Sequence, residues 1–387
     1  MRAAVALGVS AAVAWAALAL IGWPAGPYRD NDFASLYVMG RMLLTGGDQY
    51  DYPTYVAAHR AIGSRALTIV LPDVASFYPL TTAFVTVPFA LLPLSLAAPA
   101  WFVTQAALSV ASLVALAKRV MPATFRRDAF VLVGLVAASQ PAWLLAGGGN
   151  LGGFILALAA TATTLLVAGH PLLAGAAAGA LLVTKPQPLL IAMLAVLVVL
   201  TRASALRVAA SASGVILAAA ALSIALRPAW IGEFLGQAGK VAAYASRTRQ
   251  ATVFGLLGPE LSWLAWTVVV AMVVALLLWA RTRPSLPLVA GVSVAVSLFC
   301  VPYGWSYDHL SLAITACVIL AVAATLGERS RVAILLTLAV AFVFIPWALY
   351  AIALSRGGES LSALVPLEML VLLILVARRR GSMPARS

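Results

Sequence analysis

PYRDNDFASLYVMGRMLLTGGDQYDYP, residues 27–53, carries four of the chain's twelve acidic residues: Asp30, Asp32, Asp48 and Asp51. The chain around it is 63% hydrophobic and only 10% charged, with a mean hydropathy of +1.03. Carboxylates are cheap in such a chain only in water, in a polar cavity or beside a partner. A cluster of four, placed just after the first apolar run and opening a long loop, marks a membrane protein with a reaction site at the membrane surface.

Outward from that stretch, apolar runs of about 17–25 residues recur, the length that crosses a bilayer. In 387 residues they leave no room for a large soluble domain, so the expectation is one integral membrane domain over 1–387. The net charge of +13 is ordinary for a multi-span protein with basic cytoplasmic loops, and no compact basic domain exists to bind nucleic acid. Cys300 and Cys317 both fall in apolar runs and read as small buried hydrophobes, with no disulfide framework or zinc spacing. Arginine outnumbers lysine 22 to 3, a bias that fits a GC-rich bacterial genome. The N-terminus MRAAVALGVSAAVAWAALAL resembles a signal peptide, and because many runs follow it reads as a retained anchor.

The expected spans are 3–23, 80–117, 129–146, 151–168, 171–184, 188–201, 206–226, 262–280, 286–302, 309–326, 331–353 and 361–377. If 80–117 crosses once, bent at Pro88, Pro93 or Pro99, fifteen of the 25 basic residues fall on one side and nine of the twelve acids on the other. The basic side is then cytoplasmic, with both termini and the tail 378–387 on it. A hairpin at 80–117 flips every later loop and spoils the pattern. With a single crossing the loops 24–79, 147–150, 185–188, 227–261, 303–308 and 354–360 share the outer face. They hold nearly all the unusual polar residues, the convergence an extracytoplasmic active site requires.

Within the first loop, 33–45 reads as an amphipathic helix lying on the membrane and 53–62 as a second surface helix. The 227–261 loop has the composition of a lid. The Ala-rich run 174–180 reads as close helix packing.

Each candidate site residue has a plain reading beside the chemical one. Asn31 or Asp32 fits a helix cap, while Asp32 with Asp30 also fits a general base that is half desolvated. Tyr78, in Phe77-Tyr78-Pro79-Leu80, is a candidate substrate contact, although Pro79 alone explains a helix start. Gly147-Gly148-Gly149-Asn150 makes either a tight turn or a close backbone approach to a ligand, with Asn150 as a contact. Lys185, in TKPQPLL, is costly between apolar runs unless it meets an anion, a partner carboxylate or water. In VPYGWSYDHL, Tyr303 and Trp305 suit stacking on a sugar. Asp308 and His309 suit sugar hydroxyls or a phosphate, against a membrane belt plus a helix cap.

Taken in order, the acidic pair, GGDQYDY, FYPLTTAFVTVPFALLPLSLA, GGGNLGGFILALAAT, GAAAGALLVTKPQPLLIAML and VPYGWSYDHL resemble the polyprenol-phosphate-mannose-dependent α-mannosyltransferases of glycosyltransferase family 87, in the GT-C superfamily. The resemblance covers about residues 25–320. It implies an all-α multi-span GT-C-like fold with a periplasmic site in the bacterial plasma membrane. It also implies inverting transfer of a sugar, usually mannose, from a polyprenyl phosphate to a glycolipid or glycan. Carried over by motif, Asp32 is the base with Asp30 alongside, and Lys185 and His309 hold the donor phosphate. No cofactor is implied, with Mg²⁺ or Mn²⁺ on Asp30-Asn31-Asp32 as the minor option. A single proline follows Phe77-Tyr78 where two are common, and GGGN stands where Gly-Gln-x-Asn is common, which leaves the sugar and acceptor open. Arabinose or glucose donors, a lipid-linked sugar flippase, and a non-catalytic assembly factor are the other readings.

Overall fold

The computed structural model describes residues 31–64, 73–76, 78–123, 128–245 and 249–381. The expected anchor span 3–23, Asp30 and Phe77 lie outside the described residues. Among the described residues the chain is helical, with no strand.

The first helix, α1 (Asp32–Thr45), starts because the Asn31 side chain accepts the Phe33 and Ala34 N–H groups, and it stops at Gly46 with φ +72°. The expected helix is therefore there, but it does not lie on a bilayer by one face. Phe33, Leu36, Tyr37, Val38, Met39 and Met42 are all buried, so both of its sides are covered. Gly40 allows this, because a Cβ there would lie 2.8 Å from both Ala90 Cβ and Thr86 Oγ1. The helical spacing of apolar residues was a correct signal for helix and a poor one for surface. A short α2 (Tyr52–Ala61), capped by Asp51, follows and keeps one side exposed.

The 80–117 run divides at Leu91–Pro93 into α3 (Leu80–Ala90) and α4 (Leu94–Val120). Proline at 93 has no N–H to continue the ladder, whereas Pro88 and Pro99 are accommodated inside the helices. At 1.5 Å per residue α4 is about 40 Å long and α3 about 16 Å, so only α4 has the length to cross. Both ends of α3 stay with the same layer of the molecule. Thr81 and Thr82 donate to the Val183 and Thr184 carbonyls at 2.7 and 2.8 Å, and Tyr37 donates to the Leu92 carbonyl at 2.8 Å.

Next come α5 (Asp128–Ala138) and α6 (Gln140–Gly148), one apolar run bent by 58° at Ser139 before Pro141. Then follow α7 (Gly152–Val167), α8 (Pro171–Thr184), α9 (Leu190–Val199) and α10 (Arg202–Leu226). The break expected around Lys185-Pro186-Gln187-Pro188 is real and contains a single 3₁₀ turn. The Ala-rich stripe does pack closely: Cβ atoms at Gly175 and Gly179 would fall 2.4 and 2.7 Å from the Val208 and Ala212 carbonyl oxygens of α10.

The 227–261 loop folds into α11 (Trp230–Ala245) and a short α12 (Val253–Leu257). It docks on the first loop: Gln237 bonds the Ala75 N–H and the Tyr50 carbonyl, Lys240 bonds the Asp73 carbonyl, and Arg227 pairs with Asp48 and Glu233. The chain continues through α13 (Ser262–Arg281), α14 (Leu286–Cys300), α15 (Leu312–Ala323), α16 (Glu328–Ala339), a π turn before Pro346, α17 (Ile345–Arg356) and α18 (Leu364–Gly381). Nearly every residue of α14 and α15 is buried, so this pair forms the core of the bundle.

Six helices among the described residues are long and apolar enough to cross a membrane, and the bent α5–α6 pair is a seventh. The other expected spans within the described residues are helices of 10–17 residues, shortened where Gly, Pro or Lys185 interrupts the apolar run. Alternate turns gather at one end. Trp101 Nε1 donates to the Gly149 carbonyl, Lys185 pairs with Asp308, the Ala251 N–H donates to Gly304, and the Glu359 N–H donates to Arg249. At the basic end, Arg331 pairs with Asp128 instead. The convergence expected of the polar loops is therefore a property of the fold.

Candidate active site

Asn31, not Asp32, caps α1. Its Oδ1 serves the Phe33 and Ala34 N–H groups while its Nδ2 donates to the Gly147 carbonyl at 2.8 Å. Asp32 is thus released from capping. No hydrogen bond or ion pair to its carboxylate is formed among the described residues. It keeps partial access to solvent although protein surrounds it. Loss of surrounding water pushes its pKa from 3.8 up to about 6, with Lys185 nearby pulling it down and Asp308 pushing it up.

The position of Asp32 depends on its neighbours. Phe33 seats against Gly149, whose φ is +63° and where a Cβ would lie 2.5 Å from Phe33 Cβ. Only glycine takes that backbone shape with that neighbour. Phe33 also packs on Trp101, ring centroids 5.5 Å apart. Beneath it, Gln105 of α4 bonds the Asn150 carbonyl through Nε2, at 2.8 Å, and the Gly153 and Phe154 N–H groups through Oε1, at 3.0 and 3.2 Å. Asn150 Oδ1 accepts the Gly152 N–H at 2.7 Å, and its Nδ2 is buried without a partner among the described residues.

Facing Asp32 is Lys185, whose Nζ meets Asp308 Oδ1 at 2.6 Å and stands 4.9 Å from the centre of the Tyr307 ring. Asp308 Oδ2 accepts the Trp305 N–H, closing a short turn. Tyr78 and Tyr303 lie within electrostatic reach of both Asp32 and Asp308. Burial pushes the Tyr303 phenol up to about 12 and raises that of Tyr78 as well, so both remain neutral hydrogen-bonding groups. Tyr303 and Trp305 meet edge to face, centroids 6.3 Å apart, and Trp305 Nε1 donates to the Tyr303 hydroxyl at 3.1 Å. The pair makes a half-buried aromatic corner.

Asp32, Tyr78, Lys185, Tyr303 and Asp308 therefore share one site, with Trp305 on its rim and Asn150 behind α1. His309 is adjacent but turned aside: it is buried, and its Nε2 bonds the Ala251 carbonyl at 3.2 Å. Three further residues belong here that the sequence reading did not pick out. Tyr307 stood unremarked inside the aromatic motif. Gln105 is a lone amide in a long apolar run, and Glu359 is the one acid of the 354–360 loop. No group of three or more His, Cys, Asp or Glu suited to a metal occurs among the described residues, and Asn31 is committed to the backbone.

A bundle with one carboxylate held open and a buried lysine across from it suits transfer chemistry on an anionic substrate. The family model of glycosyltransferase family 87 matches residues 77–302, more than half of the chain. The chain belongs to glycosyltransferase family 87. This family 87 enzyme matches no curated protein and no solved structure. Tyr78, Asn150 and Lys185 lie inside the matched segment; Asp32, Tyr303, Trp305, Asp308 and His309 lie outside it.

Proposed function

We propose that this glycosyltransferase moves a sugar, mannose before arabinose or glucose, from a polyprenyl phosphate to a glycolipid or glycan at the extracytoplasmic face of the bacterial plasma membrane. The observation that carries the reading is the Asp32 carboxylate, without a hydrogen-bond partner among the described residues and with its pKa raised to about 6, facing the buried Lys185–Asp308 pair.

In this reading the acceptor hydroxyl attacks the anomeric carbon and Asp32 takes its proton. The carbon–oxygen bond to the phosphate breaks, and the electron pair leaves with the polyprenyl phosphate. Configuration inverts because attack and departure are on opposite faces. Lys185 neutralises the leaving phosphate, for which it exchanges part of its contact with Asp308. Tyr303 and Trp305 hold the sugar ring. His309 supports the loop and stands ready for the phosphate only if its bond to Ala251 yields.

The test is transfer from radiolabelled polyprenyl-phosphate-mannose to membrane glycolipids by purified protein in lipid, with arabinose and glucose donors in parallel. Transfer that survives in Asp32→Asn removes the base assignment. Transfer from another donor alone moves the specificity, and no transfer from any donor defeats the lipid-phosphate reading.

A further inference from the structure

Glu359 lies in the turn between α17 and α18, beyond the segment matched to the family, and has no part in the chemistry proposed above. Its Oε2 accepts the Ser306 N–H at 2.8 Å. Ser306 Oγ in turn accepts from Gln140 Nε2, 2.9 Å away at the bend between α5 and α6. The Glu359 N–H donates to the Arg249 carbonyl at 2.7 Å. The stretch after Arg249 is itself fastened to the aromatic loop: the Ala251 N–H bonds the Gly304 carbonyl, and Gln250 Oε1 accepts the Gly304 N–H at 3.3 Å. Three chain segments, 249–252, 303–309 and 357–359, are thereby bound to one another, with Glu359 closing the ring.

A carboxylate suits this place for a physical reason. The Ser306 N–H meets an ionised acceptor here, a stronger partner for a backbone donor than the neutral oxygen of an amide. No ion pair is made by Glu359 among the described residues. Among the described residues its charge is met by the Ser306 N–H in a charge-assisted hydrogen bond. Burial, the leading influence, raises its pKa, opposed by hydrogen bonding to Ser306.

We propose that Glu359 is a positioning residue: its carboxylate holds the 303–309 segment, and with it the aromatic corner and Asp308, in the geometry used for sugar transfer. The positioning claim rests on the reading of 303–309 as a donor contact.

The experiment compares wild type, Glu359→Gln and Glu359→Ala in lipid nanodiscs by amide hydrogen exchange, thermal unfolding and transfer kinetics with polyprenyl-phosphate-mannose. In Glu359→Gln, exchange at 303–309 is expected to rise by about tenfold, as replacing the charge-assisted bond to Ser306 with a neutral one implies. Exchange in α14 and α15 and the unfolding midpoint should stay near wild type. KM for the donor should rise more than kcat falls, and Glu359→Ala should move every quantity further. Unchanged exchange at 303–309 in both variants overturns the proposal, as does a rise spread evenly over the helices. Loosened 303–309 with KM and kcat both unchanged also overturns it. If wild type transfers no sugar, the lipid-phosphate reading fails while the exchange comparison still decides whether Glu359 holds the segment.

Discussion

Lys185 Nζ and Asp308 Oδ1 are 2.6 Å apart and almost wholly shielded from water, although 123 residues separate them in the chain. The pair joins the break after α8 to the turn before α15. Breaking one side of a buried pair leaves the other charge stranded, at a cost of about 3–5 kcal/mol. Lys185→Met and Asp308→Asn should each lower the thermal midpoint sharply. The double variant should lose less than the sum of the two, and additive losses would show that the pair is not coupled.

Asp32→Asn should abolish most transfer, about 10²–10⁴-fold for loss of a general base. In the wild type, transfer should fall as pH drops below about 6, where the carboxylate protonates. The stability effect has the opposite sign. With its pKa raised from 3.8 to about 6, the folded protein holds more protons than the unfolded chain across that window, so stability declines as pH rises through it. Asp32→Asn should therefore be more stable than wild type at pH 7.5, by about 1–2 kcal/mol after discounting for partial solvent access. That gain should vanish near pH 4, as thermal scans at several pH values would reveal.

Gly149→Ala meets both a left-handed backbone and the Phe33 side chain, which would lie 2.5 Å from the new methyl. Strain of about 1–2 kcal/mol comes from the backbone alone, and the clash adds to it. Because Phe33 adjoins Asp32, activity should fall further than stability accounts for. Equal falls, measured by midpoint and by specific activity of the folded fraction, would dissociate Gly149 from the site.

Gln105→Leu keeps roughly the shape of the side chain and strands the Asn150 carbonyl with the Gly153 and Phe154 N–H groups. Each buried group left unmet costs about 1–3 kcal/mol. The variant should unfold early or fail to accumulate in the membrane. A midpoint near wild type would mean that water replaces the amide.

The helix positions were legible because their causes are local. Asn31 before Phe33 and the Gly46-Gly47 turn after Thr45 bound α1 from sequence alone. The break at Lys185-Pro186 was equally plain, since proline and a charge both interrupt an apolar run. Gathering of the polar turns at one end followed from arginine distribution. Burial of α1 was not legible, because it depends on Gly40 meeting Thr86 and Ala90, a contact that no local pattern encodes. The same holds for Gln105 and Glu359: each is a single polar residue whose meaning comes from distant backbone groups. Asp32 sits between these cases, since a carboxylate beside the first apolar run was visible and its release from capping was not.

The packing of α1 also dictates an order of assembly. Its partner α3 is translated about forty residues later, and Gly149, which seats Phe33, more than a hundred later. Until that turn has left the ribosome, Phe33 and Trp101 have no complete socket and Asp32 no fixed direction. The earliest-made piece of the site is thus set only after a later turn has been made, and a nascent chain stalled before residue 149 would carry every atom of Asp32 without the seat that aims it.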